Sequence, residues 1–417
     1  MLSAITNSWA LLLGIAFLML GNGLQSTVLS VRGSIEGFST ESIGAVMTCY
    51  FIGYLAGSFV TPKVLANVGH VRVFAALASL SSASALLHAV FIDPYTWGAM
   101  RLITGFCFAG LYIVAESWLN DMATNETRGQ TLSTYLIVQM LGIIIAQFVL
   151  NLWDASGYAL FVIISVLVSI SFAPILLSVN AAPVHSTTKR MSIGDLYRAS
   201  PLGAVGCFIL GGIFAAQFGM GAVFATAKGL SLADLSIFVA MIYVGGLLAQ
   251  YPLGYISDRM DRRLLISALT GAGTVALIVG MLFSGSSTVL LTMAFMMGAV
   301  SNPLYSLLIA YVNDYLEQDD MAAASSGLLF LNGIGAILGP LIVGWMMTNL
   351  GPDSYFAFIA ALFALISAYA AYRMTQRAAP SVEDTNTYAA IAPQMTAVAH
   401  EVAQEYAQDQ AGDEEDT

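Results

Sequence analysis

Charged residues are scarce in this sequence. Asp, Glu, Lys and Arg make up only 9% of the 417 residues, hydrophobic residues make up 58%, and the mean hydropathy is +0.79. A soluble domain of this composition would expose large apolar patches and would aggregate. The chain also has no basic patch with which to neutralise phosphates, so nucleic acid is excluded as a partner. The composition therefore predicts a protein embedded in a lipid bilayer.

The residue sets that enzymes, metal centres and ATP-driven pumps require are missing as well. The three cysteines, Cys49, Cys107 and Cys207, are scattered inside apolar stretches and make neither a disulfide framework nor a metal site. The sequence has no Gly-Lys-Ser/Thr phosphate loop, no His-Glu-x-x-His motif and no Ser/His/Asp set within those stretches. We therefore expect no cofactor, no metal ion and no enzymatic activity.

Long apolar stretches account for nearly all of the chain. A helix of about 20 apolar residues crosses a bilayer core of roughly 30 Å, and backbone groups in lipid must be paired internally. The alternation of apolar and polar residues that membrane β-strands need is missing. The sequence predicts an all-α membrane protein with twelve spans, at 9–31, 42–61, 72–92, 97–119, 130–152, 157–179, 202–226, 235–256, 264–284, 288–312, 325–349 and 355–376.

Basic residues are distributed unevenly between the two sides of the predicted membrane. With a cytoplasmic N-terminus, 11 of the 14 Lys and Arg residues face the cytoplasm. Arg32 and Lys228 face outside, and Arg101 lies within a span. This asymmetry satisfies the positive-inside rule. It predicts a multi-pass protein with both termini in the cytoplasm.

The chain overlays on itself after a shift of about 192 residues. Phe51-Ile52-Gly53 falls on Tyr243-Val244-Gly245, and Leu111-Tyr112 falls on Leu304-Tyr305. Six helices per repeat give both copies the same orientation, which is one of the standard transporter plans. We predict an N-terminal six-helix half, a cytoplasmic linker and a C-terminal six-helix half, at 1–180, 181–200 and 201–377.

The net charge of −11 originates largely after the last span. Residues 381–417 carry nine of the 25 acidic residues and no Lys or Arg. Such a segment buries too little surface to order itself. We therefore favour a solvated acidic cytoplasmic tail at 378–417 that folding and transport do not need. Met395, Val398, Val402 and Tyr406 nevertheless fall at helical spacing, which leaves open a short amphipathic helix that binds a cytoplasmic partner.

One loop carries a family signature. Gly254 to Arg263 reads GYISDRMDRR and resembles the Gly-x-x-x-Asp-Arg-x-Gly-Arg-Arg loop motif of the major facilitator superfamily, with Asp261 in place of the second Gly. The matching place in the first half, 62–71, has Ala66 and Asn67 instead of Asp-Arg. Arg101 to Gly105 resembles the family's Arg-x-x-x-Gly element. The run 116–121 resembles a bacterial subgroup often called YcaD-like.

The resemblance implies a monomeric secondary transporter of the bacterial inner membrane, with two pseudo-symmetric bundles around a central cavity. It also implies a latch in which a carboxylate and clustered Arg residues join one half to the other. The candidates for gating and coupling are Glu116, Asp121, Arg128, Asp258, Arg259 and Arg262.

Polar residues on the helices expected to line the cavity are the candidates for solute contact. An amide that faced lipid would leave its donors unpaired, so these side chains should face inward, either as packing contacts or as the solute pathway. They are Asn22, Gln25, Tyr112, Gln139, Gln217, Asn302, Tyr305 and Asn332.

Two charged side chains within spans each have two interpretations. Arg101 could hold an anionic group of the substrate, since an intramembrane cation is a functional candidate by default. Alternatively, it could extend to the outer interface. Glu116 could carry a coupling proton, or it could pair with an Arg residue of the cytoplasmic gate.

The predicted cavity is lined by amides, aromatics and methionines, because no carboxylate or His lies near a span centre. This suits a small neutral or amphiphilic organic solute, or an apolar one. We predict a secondary transporter that exports an amphiphilic compound in exchange for protons. Uptake of a neutral nutrient, by facilitation or symport, is the alternative within that class. A non-transporting membrane sensor or scaffold that acts through the acidic tail is the alternative of another class.

Overall fold

The computed structural model describes residues 2–124, 127–174, 191–316, 318–376, 385, 387–400 and 402–404. The regular secondary structure in these residues is helical. The first half contains α1 to α6, namely Leu2–Ile35, Thr40–Val68, His70–Val90, Pro94–Met122, Arg128–Val149 and Ala159–Ile170. A short helix, α7 (Ile193–Ala199), belongs to the linker. The second half contains α8 to α13, namely Pro201–Ala227, Leu232–Ser257, Arg262–Leu282, Ser287–Asn313, Gln318–Leu350 and Ser354–Met374.

Eleven of the described helices are long and apolar enough to cross a membrane, and α6 is a shorter apolar helix. Since the two halves contribute six helices each, the predicted all-α fold of two six-helix bundles is confirmed. Most helices are longer than the predicted spans, because the helical backbone continues past the apolar part into polar ends. The last residues of the predicted sixth span, 175–179, lie outside the described residues.

Glycines set the same close helix contact in both halves. Gly53 of α2 meets Gly105 of α4, and Gly245 of α9 meets Gly298 of α11. At each of these four glycines, an added Cβ would lie 1.7–2.1 Å from a backbone carbonyl oxygen of the opposite helix. No real side chain fits at such a distance, so the two helix pairs can pack this closely only through glycine. The repeat found in the sequence is therefore accompanied by the same close helix packing in both halves.

The two halves touch each other along one side of the bundle, and α2 and α12 stay in contact past its middle, where the Phe59 and Phe330 rings are 5.8 Å apart. We call this side the far face; it carries the loops 36–39 and 228–231. There Thr48 Oγ1 donates to the Ile337 carbonyl oxygen at 3.2 Å, and Asn151 Nδ2 donates to Ser236 Oγ at 2.8 Å. The opposite side, where α4 and α11 end and α7 lies, is the linker face. A cleft separates the halves on this side.

The described part of the tail occupies that cleft. Ile391, Met395 and His400 are at most 1% exposed, and Val402 is 6% exposed. The prediction of a solvated tail is therefore wrong for residues 388–404. The physical reason is that the apolar positions at helical spacing find cover between the halves, where the cleft also supplies polar partners for the tail backbone. Tyr406 lies outside the described residues.

Candidate solute pathway

A cavity lies between the two halves, on the far-face side of the tail. It holds about 670 Å³ of space free of protein atoms, part of which is open to solvent. Among the described residues that line it, none is Asp, Glu, Lys, Arg or His. Aromatic rings of both halves form much of the wall, and its polar groups are the side chains of Asn22, Ser58, Asn332 and Gln394 and the hydroxyls of Tyr50, Tyr54 and Tyr112. The cavity is therefore electrically neutral and mixed apolar and polar in character.

Asn22 of α1 is the centre of a buried polar network in this wall. Its Nδ2 donates to the Tyr50 hydroxyl oxygen at 3.1 Å and to the Tyr112 hydroxyl oxygen at 3.0 Å. Its Oδ1 has no hydrogen-bond partner within the described protein, although the residue is only 3% exposed. A buried unsatisfied acceptor costs free energy. Asn22 Oδ1 is therefore an unpaired acceptor in a residue of the cavity wall.

The sequence-predicted pathway residues separate into groups in the structure. Asn22, Tyr112 and Asn332 line the cavity. Gln139 and Tyr305 contact the docked tail instead, through Gln394 Nε2 at 3.5 Å and His400 Nε2 at 3.3 Å respectively.

The other three amides lie away from the cavity wall. Gln217 Oε1 accepts from Ser301 Oγ at 2.9 Å, and Asn302 Nδ2 donates to the Gly298 carbonyl oxygen at 3.2 Å. Both are contacts within the second half. Gln25 is 1% exposed, and its Nε2 has no partner within the described protein.

Arg101 lies directly behind the cavity wall. Its guanidinium carbon is 4.3 Å from the centroid of the Tyr50 ring, and its Nη2 donates to Ser26 Oγ at 3.3 Å. The side chain is fully buried, so the prediction that it extends to the interface is wrong. Its Nε and Nη1 have no partner in the described structure. A cation–π contact stabilises the charge by roughly 0.5–2 kcal/mol, which leaves most of the desolvation cost uncompensated.

Glu116 of α4 faces the tail. Its carboxylate accepts a hydrogen bond from the Tyr135 hydroxyl at 2.7 Å. It also accepts from the Thr396 amide at 3.0 Å, from the Thr396 hydroxyl and from the Ala399 amide at 3.3 Å. Within the described structure it makes no ion pair, so the predicted pairing with a gate Arg is wrong. Backbone amides of the tail take the place of the cation.

The family loop motif forms an ion-pair cluster at the linker face of the second half. Arg262 is 2% exposed and lies between two carboxylates: Asp258, at 3.2 Å, and Asp314 of α11. Its Nε also donates to Ser257 Oγ at 3.1 Å. The prediction that this motif latches one half to the other is therefore wrong for these contacts. They join helices of the second half to each other, and Asp258 additionally accepts from the tail amide of Tyr388 at 2.9 Å.

The other gating candidates lie at the surface or partly buried. Arg259 is exposed and stacks on Tyr255 at 3.5 Å, and Asp121 is exposed at the end of α4. Arg128 is partly buried at the start of α5. Their roles in gating stay predictions.

Several residues of the cavity wall were missed from the sequence. Tyr50, Tyr54, Phe214 and Phe218 line it, and so does Pro393 of the tail. An aromatic residue in a span gives no sign of whether it faces lipid or a cavity, so these had no distinguishing signal. The helical spacing from Met395 to Val402 was the one available sign that the tail docks.

Comparison with known proteins places the chain in a family. The model of the Major Facilitator Superfamily matches residues 11–244 and 202–394, and the chain belongs to this superfamily of membrane transporters. A curated relative, the uncharacterised MFS-type transporter YcaD of Escherichia coli strain K12 / DH10B, is 25% identical over 355 residues. The match covers 84% of this chain and 92% of the relative.

Solved structures share the fold. The nucleoside transporter NupG, as its D323A mutant, superimposes with a TM-score of 0.74 at 16% identity and covers 88% of this chain and 99% of its own. A bacterial homologue of the human lysosomal transporter Spinster, in an inward-facing and unoccupied conformation, has a TM-score of 0.65 at 13% identity. That match covers 97% of this chain and 98% of the Spinster homologue. A multi-pass membrane transporter fold is thereby established.

Proposed function

We propose that this protein is a secondary transporter of the bacterial inner membrane for an uncharged amphiphilic organic solute. The two halves would rock about the central cavity and expose it to each side in turn. The neutral aromatic and amide wall of that cavity is the observation that carries the proposal. Both termini would be cytoplasmic, which makes the linker face the cytoplasmic side.

Cavity chemistry decides the solute class. Four aromatic residues, Tyr50, Tyr54, Phe214 and Phe218, offer apolar faces, and Asn22 and Asn332 offer amides. A binding site of this kind suits a molecule with an apolar body and a few hydroxyl, carbonyl or amine groups. A permanently charged solute would find no opposite charge in the wall. Arg101 lies behind Tyr50 and would keep a cation out by repulsion.

Proton exchange would pass through Glu116. It is the only carboxylate within a predicted span, it is 2% exposed, and it makes no ion pair in the described structure. Burial away from water disfavours the charged carboxylate, and no cation offsets that cost. The hydrogen bonds that Glu116 accepts favour the charged form, and release of the tail removes those from Thr396 and Ala399. We therefore favour export of the solute in exchange for protons.

A nucleoside is the second candidate solute. The structurally similar protein NupG is a nucleoside transporter. In this chain the Tyr50 ring lies 5.9 Å from the Phe218 ring, near Asn22 and its free acceptor. A planar base could stack on the rings while a ribose hydroxyl donates to Asn22 Oδ1. In this case transport would be uptake.

The test begins with cells that differ only in this protein. Their metabolites and their tolerance of uncharged drugs are compared, and each solute that differs is then tested for exchange in proteoliposomes, with uridine as the nucleoside probe. A protein carrying Ala336→Trp, which fills the cavity, should lose exchange. Ala361→Trp, on an exposed face of α13, is the matched control and should retain it. Equal exchange by both variants would overturn the cavity as the pathway.

A further inference from the structure

The tail is bound to the cleft by its backbone as well as by its side chains. The Tyr388 amide donates to Asp258, and the Ile391 amide donates to Ser306 Oγ at 2.9 Å. Ser306 Oγ in turn donates to the Ile391 carbonyl oxygen at 2.8 Å. Backbone contacts of this kind recognise a peptide conformation, so the cleft has the character of a peptide-binding site.

The second part of the tail is helical, at residues 397–400 and 402–404, and its N-terminus points at Glu116. Amides at a helix N-terminus have no partner within the helix and carry partial positive charge. Glu116 accepts from two of them, those of Thr396 and Ala399. A carboxylate in this position caps the helix from outside. At the other end of the tail, Gln404 Nε2 donates to Ser325 Oγ at 2.5 Å and to the Met321 carbonyl oxygen at 2.9 Å.

These contacts are divided between the two halves. Glu116 and Tyr54 belong to the first half, while Asp258, Ser306 and Ser325 belong to the second half. A segment that binds both walls of the cleft holds the walls at a fixed separation. The halves cannot close on the linker face while the tail lies between them.

The tail also closes the cavity towards the linker face. Pro393 and Gln394 are part of the cavity lining, and the Gln394 carbonyl oxygen accepts from the Tyr54 hydroxyl at 2.5 Å. A solute that approaches from this side meets the tail before it meets Asn22. The docked state therefore blocks both entry of the solute and closure of the cleft.

We propose that the cleft is a peptide-binding site whose ligand is the chain's own segment 387–404, and that this segment is a built-in blocker of transport. With the segment bound, the cavity is closed to solute and the transporter is held in one conformation. With the segment released, the cleft is free to bind solute and to close. The effect on flux rests on the proposed transport function, whereas the docking itself does not.

Docking is tested first, without any transport substrate. The three cysteines are replaced by alanine, and Ala336→Cys, which lies 4% exposed in the cavity wall, is labelled with a sulfonated maleimide in nanodiscs. Ending the chain after Ala379 should speed labelling by about tenfold or more, because it removes every hydrogen bond and apolar contact that holds the tail in the cleft. Ser286→Cys, exposed on the far face, is the control and should label equally fast in both chains.

Two further variants keep the result interpretable if the shortened chain does not fold. In the full chain, Thr396→Asp places a second carboxylate against Glu116 and should release the tail, with faster labelling of Ala336→Cys. Ser286→Asp adds the same charge at a helix N-cap on the far face and should change nothing. Unchanged labelling in both the shortened chain and Thr396→Asp would overturn the proposal.

Rescue with a free peptide identifies the ligand. A synthetic peptide of residues 385–404, added to the shortened chain, should restore slow labelling, and the same peptide with Thr396→Asp should not. If neither peptide protects Ala336→Cys, the cleft does not bind this segment and the proposal fails.

Flux separates blocking from docking. Solute exchange should rise in the shortened chain and fall again when the peptide is added on the linker face. Normal peptide protection together with unchanged exchange would refute the blocking role while leaving docking intact. Absence of exchange in every variant, with labelling as expected, would refute the transport function instead.

Discussion

The two halves of this protein share their packing but differ in their charges. Helix α4 of the first half carries Arg101 and Glu116, both buried and neither in an ion pair within the described structure. The positions 193 residues further on, in α11 of the second half, are Ala294 and Ile309. Conversely, Arg262 lies between two carboxylates in the second half, and the position 192 residues before it in the first half is His70.

This difference in charge indicates different roles for the two halves. Buried charges without a partner are costly in a membrane protein and persist where function needs them. Paired charges at a helix end stabilise a fixed arrangement of helices. The first half therefore carries the two groups for which we propose roles in proton exchange and in the exclusion of cationic solutes. The second half provides a rigid frame and most of the contacts that hold the tail.

The largest expected effect comes from replacing the buried carboxylate of the first half, Glu116, with a neutral side chain. Glu116→Gln retains the shape and a hydrogen-bond acceptor but cannot exchange a proton. Exchange of the solute in proteoliposomes should then lose its dependence on an imposed pH gradient, while exchange without a gradient persists.

The matched control is Glu41→Gln, which makes the same change at an exposed carboxylate in the first turn of α2 and should leave the gradient dependence intact. A wild-type protein whose flux ignores the pH gradient would remove the proton-exchange proposal. Facilitated diffusion or another coupling ion would then take its place.

The next effect comes from breaking the paired charges of the second half. Arg262→Met leaves Asp258 and Asp314 without their shared cation, and Asp314 is 3% exposed in its side chain. Removing one partner of a buried ion pair costs about 3–5 kcal/mol. The midpoint of thermal unfolding in detergent should fall clearly, and Arg259→Met, at an exposed position of the same motif, should leave it nearly unchanged.

Asp258→Asn is the milder change in the same cluster. It weakens one contact of Arg262 and one contact of the tail, so it should modestly speed labelling of Ala336→Cys and raise solute exchange, with normal expression. Wild-type flux together with unchanged labelling would show that the cluster has no part in gating.

The fold followed from the sequence because span length and a repeat of about 192 residues are both properties of the chain itself. The amides Asn22 and Asn332 could be predicted for the same reason, since polar atoms in apolar spans must face inward. The docked tail could not be predicted. Its hydrogen bonds go to Glu116, Ser306 and Ser325, which lie far apart in the sequence and meet only when both halves have folded.

A smaller effect should distinguish an amide that meets the solute from an amide that packs. Asn22→Ala removes the acceptor at the cavity wall together with the hydrogen bonds to Tyr50 and Tyr112, so it should lower thermal stability. It should also raise the half-saturation concentration by about two- to tenfold, the equivalent of one hydrogen bond of about 0.5–1.5 kcal/mol. Gln217→Ala removes only contacts with Ser301 and the Met297 carbonyl. It should lower thermal stability and leave the half-saturation concentration unchanged. The reverse pattern would move the binding site towards α8.

The smallest effect is expected from lowering the pH on the linker face. Burial lowers the pKa of His400 from 6.5 to about 4, and its Nε2 lies 3.3 Å from the Tyr305 hydroxyl oxygen. The docked tail thus holds His400 neutral, so docking is at full strength above pH 6.5 and weakens as the pH falls towards 4.

Between about pH 7.5 and 5.5 the docking constant should fall by about tenfold, because the imidazole of the released tail gains a proton in this range and the imidazole of the docked tail does not. Labelling of Ala336→Cys at the two pH values, divided by that of Ser286→Cys at the same pH because the reactive thiolate fraction itself falls with pH, measures this change. Glu116 also binds the tail and also titrates, so the decisive comparison is His400→Gln. This variant should lose the part of the pH dependence that His400 supplies, while Glu116→Gln should lose the other part. An identical pH dependence in His400→Gln and in the unmodified tail would show that the imidazole has no influence on docking.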